Sequence, residues 1–172
     1  MFQPGDLVVY STTGVCRVEA VTTPDMHGTD QNKAYYQLKP LQQDGLIYTP
    51  VDNPKVSIRS VISREEALTL IEQIPSIHAE ACRAPTLQAL AQHYQTAIRC
   101  GNCLDLIKML MSIHIKQQQA EAQNRRLGMV DERYMKQAER LLHGELAAAL
   151  EIPFDEVPAF ISQHIRTNSN GT

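Results

Sequence analysis

Cys100 and Cys103 form the pattern in this sequence that comes closest to reactive chemistry, because only two residues separate them. A C-x-x-C pair can act as a redox couple or supply half of a zinc site. A zinc site needs two more ligands, and the nearby candidates in the sequence are Cys82, His93 and His114. A free cysteine also behaves as a small apolar core residue. We therefore favour a structural role at a turn between helices and predict no bound metal, with a small thiol or zinc protein as the alternative.

The other polar residues form no catalytic pattern. The six histidines are scattered without an H-E-x-x-H pair, and there is neither a glycine-rich phosphate loop nor a serine nucleophile elbow. Glu65 and Glu66 are typical of a helix start, where the helix dipole favours carboxylates. His114 and His164 fall on apolar helix faces, which predicts core or boundary positions. We therefore predict that the protein is not an enzyme and has no catalytic residues, no cofactor and no small-molecule substrate.

Arg125 and Arg126, with Lys116 one helical stretch earlier, are the densest basic feature. They suit contact with phosphates or an acidic partner, and equally a solvated helix end, where positive charge is favourable. The net charge is −3; residues 1–62 hold five Lys and Arg against six Asp and Glu, and the remainder holds eleven against thirteen. Free-standing nucleic-acid binders usually carry a basic excess. Any DNA contact here must therefore be local or assisted by a partner.

The first 60 residues have the pattern of a small β domain. Short apolar or β-branched runs alternate with turn signals, among them Asp44-Gly45, which is typical of a hairpin. The predicted strands cover residues 7–10, 15–21, 35–39, 46–49 and 56–59, with a turn-rich loop at residues 24–32. Five short strands in this length favour a strongly bent sheet or barrel. Because alternate side chains face opposite sides of a strand, Tyr36, Tyr48 and Thr49 suit either sheet packing or an interface.

The pattern becomes helical at Ser63, which opens a capping box with Glu66. The predicted helices run from there to Pro75, over residues 86–100, from Asn102 to residue 126, from a cap at Asp131, and from a cap at Asp155 to residue 166. The third is apolar over a wide arc, which predicts the central and most buried helix, while Tyr94 lies on the apolar stripe of the second. The sequence thus predicts an α+β protein with a β domain at residues 1–62, a helical domain at residues 63–166 and a disordered tail at residues 167–172.

No segment has the character of a membrane span or a secretory signal. The longest apolar-rich stretch, residues 104–115, is interrupted by Asp105 and Lys108 and is too short to cross a bilayer. No basic segment followed by an apolar one occurs near Met1. We therefore expect a cytoplasmic protein without membrane contact.

Several short motifs, taken in order, resemble the CarD family of bacterial transcription regulators. The opening Phe2-Gln3-Pro4-Gly5-Asp6-Leu7-Val8-Val9-Tyr10, followed by Gly14-Val15, is similar to the start of the family's N-terminal module. Further similar segments are Tyr35-Tyr36, Thr49-Pro50-Val51 with Asn53, Ile58-Arg59, Gly101-Asn102, Asp131-Glu132-Arg133-Tyr134, Ala138-Glu139 and Gly144-Glu145-Leu146-Ala147. Their joint order and spacing extend the resemblance over almost the whole chain.

The resemblance implies a Tudor-like N-terminal domain, shared with the transcription-repair coupling factor, that binds the β subunit of RNA polymerase largely by sheet-edge pairing. It also implies that the helical domain touches promoter DNA at the upstream edge of the melted bubble. There the family wedges a tryptophan into the minor groove beside basic residues. This sequence contains no tryptophan. The equivalent position falls near Leu87, which can also act as an apolar wedge, but Gln88 and Ala89 follow where basic residues are expected.

The residues and the resemblance together predict two sets of contacts. The polymerase-binding set is Tyr36, Tyr48, Thr49 and Pro50, and the DNA-binding set is Leu87, Arg83, Arg125 and Arg126. The main hypothesis is a regulator that binds polymerase and tunes promoter open complexes, with weak DNA contact assisted by tethering on the polymerase. The alternatives are a polymerase-bound interaction factor without DNA contact, and the thiol or zinc protein based on Cys100 and Cys103.

Overall fold

The computed structural model describes residues 1–23 and 32–170. The predicted loop at residues 24–32 therefore lies outside the described residues, except for Asn32. The chain divides into two compact units, Met1–Ile62 and Ser63–Thr172. The division falls at the residue where the sequence pattern changes from strands to helices, and each unit buries apolar residues of its own.

The N-terminal unit is a five-stranded antiparallel sheet with the strand order β4-β3-β2-β1-β5. The strands are β1 (Leu7–Tyr10), β2 (Gly14–Thr22), β3 (Tyr35–Pro40), β4 (Ile47–Pro50) and β5 (Ile58–Ser60). Gly45, in the connection between β3 and β4, has a φ of +109°, which glycine adopts without a Cβ clash. A register shift between Val18 and Ala20 marks a β-bulge, which bends the strand and increases its twist. The predicted strands are confirmed, each end lying within two residues of its prediction.

The core of this unit lies against one face of the sheet. Its buried members are Val8, Cys16, Val18, Tyr36 and Leu38. Partly buried residues pack around them: Phe2, Tyr10, Val21, Ile47, Val51 and Ile58. Burial raises the pKa of the Cys16 thiol to about 11, so this thiol stays protonated and unreactive at neutral pH.

The C-terminal unit consists of helices. They are α1 (Arg64–Gln73), α2 (Leu87–Cys100), α3 (Cys103–Ala122), α4 (Met129–Leu150) and α5 (Val157–Ser169), with 3₁₀ turns at Ile74–Ser76 and Phe154–Glu156. The predicted capping box is present, since the Glu66 amide donates to Ser63 Oγ at 3.1 Å and the Ser63 amide donates to Glu66 Oε2 at 2.7 Å. Gly101 ends α2 with a left-handed φ of +63°, as is common after helices. None of the helices in residues 32–170 is long and apolar enough to cross a membrane.

Helix α3 ends earlier than predicted. It stops at Ala122 rather than at residue 126, because Asn124 adopts a left-handed φ of +55°. The amides of Asn124 and Arg125 donate to the carbonyls of Glu121 and Ala120 at 3.0 and 2.8 Å. These two bonds form a Schellman motif, which closes the helix end. Arg125 and Arg126 therefore lie in the connection between α3 and α4.

The central helix is α4, so the prediction that α3 is the most buried helix is wrong. Helix α4 packs against α1, α2, α3 and α5 and contains ten buried residues, against six in α3. Ala138, Gly144 and Ala147 are buried on α4, and such small residues let neighbouring helices approach closely. His114 on α3 is exposed, contrary to the prediction of a core or boundary position, whereas His164 is partly buried.

The two predicted N-caps of the last helices are wrong. Gly128 occupies the N-cap of α4, and Asp131 lies in its first turn, buried because it bonds to other helices. Asp155 lies in a 3₁₀ turn that precedes α5. The Glu156 amide donates to the Pro153 carbonyl at 3.0 Å and closes this turn.

The predicted disordered tail is wrong for residues 167–169, because α5 continues to Ser169. The hydroxyls of Thr167 and Ser169 donate to the carbonyls of Gln163 and Ile165, each at 2.9 Å. These bonds to carbonyls four residues back let polar side chains remain within the last helical turns.

Candidate interaction surfaces

Strand β4 lies at one end of the sheet, so one side of its backbone has no partner strand among the described residues. The Val51 amide donates to the Ala34 carbonyl at 3.0 Å. Because hydrogen-bonded pairs alternate along antiparallel strands, Thr49 opposite Tyr36 is also such a pair. The amide and carbonyl of Tyr48 therefore point to the free edge. Pro50 occupies the next outward position, where its missing N–H removes no ladder bond.

Apolar side chains are exposed on β4 and in the connection that precedes it. Tyr48 is 37% exposed, and Leu41 and Leu46 in the connection between β3 and β4 are 38% and 49% exposed. Sequence reasoning did not identify the two leucines, although apolar residues flanking a polar turn were a usable signal. Leu41 continues the pairing of β3 with β2, since its amide donates to the Val15 carbonyl at 3.0 Å. We therefore call Leu46, Tyr48 and Pro50 the β4 edge surface.

Two of the predicted polymerase contacts face the core instead of this surface. Tyr36 is 3% exposed and its hydroxyl accepts a hydrogen bond from the Phe2 amide at 3.1 Å. Thr49 is 1% exposed and its Oγ1 accepts from Asn53 Nδ2 at 3.2 Å. The side chains of Tyr36 and Thr49 therefore pack in the core on the buried face of the sheet. Of the four predicted residues, Tyr48 and Pro50 remain for side-chain contact with a partner.

The sheet has a second edge at β5, and it is less suited to pairing. Strand β5 has three residues, Ile58–Ser60, against four in β4. Short edge strands offer few backbone groups to another chain. The edge with the more extensive backbone and the exposed aromatic side chain is therefore β4.

In the C-terminal unit, Leu87 is the first residue of α2 and is 70% exposed. Thr86 caps this helix, since its hydroxyl accepts from the Ala89 amide at 3.0 Å. The cap fixes the backbone at Leu87 while its side chain projects into solvent. The neighbouring Gln88 is also exposed and carries no charge.

The three predicted arginine contacts lie together at a second place in this unit. Arg83, Arg125 and Arg126 line a depression of about 200 Å³, together with Lys116, Gln119 and Asp131. We call it the basic pocket. Arg83 Nη2 donates to Gln119 Oε1 at 2.7 Å, which holds this guanidinium at the rim. Leu87 is not among the residues that line it, so the predicted DNA set divides into two places.

A buried charge network lies at the base of the basic pocket. Asp131 Oδ1 accepts hydrogen bonds from the Tyr94 hydroxyl at 2.5 Å and from Lys116 Nζ at 2.8 Å. Tyr94 and Asp131 are 1% and 5% exposed. Burial, with the Asp131 carboxylate beside it, raises the pKa of the Tyr94 hydroxyl, so Tyr94 stays a donor. The network joins α2, α3 and α4 at one carboxylate oxygen.

The cysteines are divided between surface and interior. Cys100 is exposed, whereas Cys103 is buried with its Sγ 3.0 Å from Glu145 Oε2. None of the four cysteines forms a disulfide. Within residues 1–23 and 32–170, no group of three or more His, Cys, Asp or Glu side chains is arranged to hold a metal ion.

Comparison with known protein families gives a match over the N-terminal unit. Residues 2–62 match the family model of the CarD-like/TRCF RID domain. The matched segment ends at Ile62, where the N-terminal unit ends. It contains all five strands and therefore the whole β4 edge surface.

Proposed function

Residues 2–62 form an RNA polymerase-interacting domain of the CarD-like/TRCF type, and we propose from this that the protein binds the β subunit of bacterial RNA polymerase and regulates transcription initiation. The observation that carries the proposal is the coincidence of this match with a compact unit in which the apolar edge strand β4 has no partner strand among residues 1–23 and 32–62 on its outer side. The protein acts by binding, without catalysing a reaction, and it acts in the cytoplasm, where its partner is.

Docking takes place at the β4 edge surface. The outward amide and carbonyl of Tyr48 pair with a strand of the polymerase, so that the sheet continues into the partner. The Tyr48 ring packs on the partner beside Leu46, since tyrosine is enriched among the residues that dominate binding energy at interfaces. The buried hydroxyl of Thr49 accepts from Asn53 Nδ2 at 3.2 Å, which holds the turn after β4 against the buried side of the strand.

The C-terminal unit contacts promoter DNA at the upstream edge of the melted bubble. Leu87 is exposed on a capped helix start and offers an apolar wedge. A leucine has less stacking area than an aromatic ring, and no cation follows it, so this contact is weak by itself. Tethering on the polymerase raises the effective DNA concentration and makes a weak contact sufficient. The result is a change in the lifetime of the open complex.

A second candidate function is a polymerase-bound interaction factor that does not contact DNA. The observation in its favour is the charge of the C-terminal unit, with eleven Lys and Arg against thirteen Asp and Glu in residues 63–172. Open-complex lifetime on a melted promoter distinguishes the two functions, because only the DNA-contacting regulator changes it when Leu87 is altered.

The test of docking is the affinity of the intact chain for the isolated polymerase β-subunit lobe. The Tyr48→Ala variant is expected to bind at least tenfold more weakly, which corresponds to about 1.4 kcal/mol, because truncating a central interface aromatic commonly costs more than 1 kcal/mol. The matched control is Leu87→Ala, which removes an exposed apolar side chain from the other unit. Equal affinity of the two variants would argue against docking through β4.

A further inference from the structure

A cleft of about 830 Å³ lies in the C-terminal unit, beside the segment that joins α1 to α2. Its lining residues come from three parts of the chain: residues 78–82 of that segment, residues between 89 and 97 of α2, and residues between 105 and 112 of α3. We call it the connector cleft. It shares no lining residue with the basic pocket, and its volume lies within the range of about 300–1,000 Å³ that is usual for ligand sites.

Small and apolar side chains leave room in the connector cleft. Four alanines line it, two on the connecting segment and two on α2: Ala79, Ala81, Ala89 and Ala97. Met109 on α3 adds an apolar surface and is 6% exposed. Because an alanine extends only one carbon from the main chain, a ligand in the cleft can closely approach the backbone of the connecting segment.

Hydrogen-bond donors at this cleft have no acceptor among the described residues. Ser112 is 7% exposed, and its Oγ accepts from the Cys82 amide at 3.0 Å, which fixes the connecting segment to α3. The hydroxyl proton of Ser112 has no acceptor in the described part of the chain. The backbone amides of residues 78–81 likewise donate to none of the described residues. Because a buried hydroxyl is costly to leave unpaired, the cleft is complementary to a ligand that brings carbonyl oxygens.

The connecting segment has a backbone that can pair with another chain. It forms neither helix nor strand over residues 77–84. Ile77 and Thr86 at its two ends are extended, with ψ of 126° and 159°. Pro85 disfavours helical backbone at the residue before it. The segment therefore offers its free amides without first having to break secondary structure.

We propose that the connector cleft binds a short extended peptide segment of a partner protein. The peptide carbonyls accept hydrogen bonds from the Ser112 hydroxyl and from the free amides of residues 78–81. In recognition of extended peptides, main-chain hydrogen bonds supply affinity and the space beside them selects side chains. Here the four alanines and Met109 select small apolar side chains. Occupation of the cleft is independent of docking through β4, because all its lining residues belong to the C-terminal unit.

The charged side chains at the cleft favour a peptide over a nucleic acid. Glu80 and Asp105 line it against one lysine, Lys108, together with His78 and His93. A phosphate group in the cleft would lie close to two carboxylates and be repelled by them. The main chain of a peptide carries no net charge, so it meets no such repulsion.

Cys82 allows the proposal to be tested by disulfide exchange on the full chain. It lines the cleft and is partly exposed, whereas Cys100 is exposed and lies outside the cleft. The probes are the symmetrical disulfides of acetyl-Ala-Ala-Cys-Ala-Ala-amide and of acetyl-cysteine-amide. A protein thiolate attacks one probe sulfur, forms a mixed disulfide and releases one probe thiolate. Peptide mapping by mass spectrometry at equilibrium gives the fraction of each mixed disulfide at each cysteine.

The peptide probe is expected to be preferred over the single-residue probe about tenfold at Cys82, the effect of two hydrogen bonds of ordinary strength. No preference is expected at Cys100, which serves as the internal reference. A probe with esters in place of the two amides that flank its cysteine has weaker carbonyl acceptors and should lose most of the preference. Equal ratios at Cys82 and Cys100 would overturn the proposal.

The Ala97→Phe variant fills the cleft from α2 and should abolish the preference at Cys82. The matched control is Ala149→Phe, which changes an alanine of the same partial exposure on α4, outside the cleft, and should retain the preference. A preference that persists in Ala97→Phe would overturn the proposal. A preference that the ester probe retains in full would overturn the peptide assignment and indicate a small apolar ligand. Because the ester comparison uses the wild-type chain, the test does not depend on the folding of either variant.

Discussion

Replacing Tyr94 by phenylalanine removes one hydroxyl from the buried charge network while leaving the ring in place. The lost hydrogen bond, 2.5 Å to Asp131 Oδ1, involves a carboxylate that is 5% exposed. Hydrogen bonds to charged groups contribute about 1.5–3 kcal/mol. Lys116 still donates to the same oxygen at 2.8 Å, so the charge keeps one partner and we expect a loss of about 2 kcal/mol.

The control for this prediction is Tyr134→Phe, which removes a hydroxyl whose hydrogen-bond partner is an exposed neutral side chain. That hydroxyl accepts from Gln95 Nε2 at 2.9 Å, and the exposed Gln95 can bond to water instead. We expect a loss of about 0.5 kcal/mol. Urea unfolding followed by the helical circular dichroism signal measures both variants, because the described helices all lie in the C-terminal unit. A loss for Tyr94→Phe no larger than that for Tyr134→Phe would refute the role assigned to the network.

Four further predictions follow from other contacts. Because the raised pKa of about 11 keeps Cys16 protonated in the folded state, a thiol reagent at pH 8 should modify exposed Cys100 first and Cys16 only after unfolding. Ser63→Ala should lower the unfolding free energy by about 1 kcal/mol at neutral pH, because the N-cap is lost. The hydrogen bonds to Ser63 lower the pKa of Glu66. The stability contributed by the ionised Glu66 carboxylate is therefore complete above the ordinary glutamate pKa and is lost as pH falls through the lowered pKa. Unfolding free energies of the wild type and Glu66→Gln, measured against pH, should therefore converge in acid. Leu87→Trp should lengthen open-complex lifetime and leave the urea midpoint unchanged, whereas an unchanged lifetime would count against the wedge.

Local sequence signals were sufficient for most of the secondary structure. The Asp44-Gly45 turn, the Ser63 capping box and the glycine after Cys100 each depend on interactions within a few residues. The sequence predicts that the helix capped by Asn102 continues to residue 126, whereas it ends at Ala122, because the local signal that ends it is weak. Asparagine at position 124 gives a weaker stop signal than glycine, although it also tolerates the left-handed conformation.

The parts of the candidate sites that sequence could not predict depend on distant contacts. Asp131 resembled an N-cap, and its burial follows from Tyr94, which is 37 positions away in the chain. Arg83 meets the α3–α4 connection through Gln119, 36 positions away. Alternation showed that Tyr48 and Thr49 face opposite sides, but only the packing of the sheet determines that Thr49 faces the core.

Hydrogen exchange of the intact chain, with and without the polymerase β-subunit lobe, tests the central claim most directly. The outward amide of Tyr48 has no partner in the described part of the sheet, so its exchange should be fast in the free protein. Strand addition predicts that the lobe slows exchange in the segment containing β4 and leaves the edge strand β5 unchanged. Unchanged exchange in β4 at saturating lobe, or protection confined to β5 or to the helices, would contradict the account.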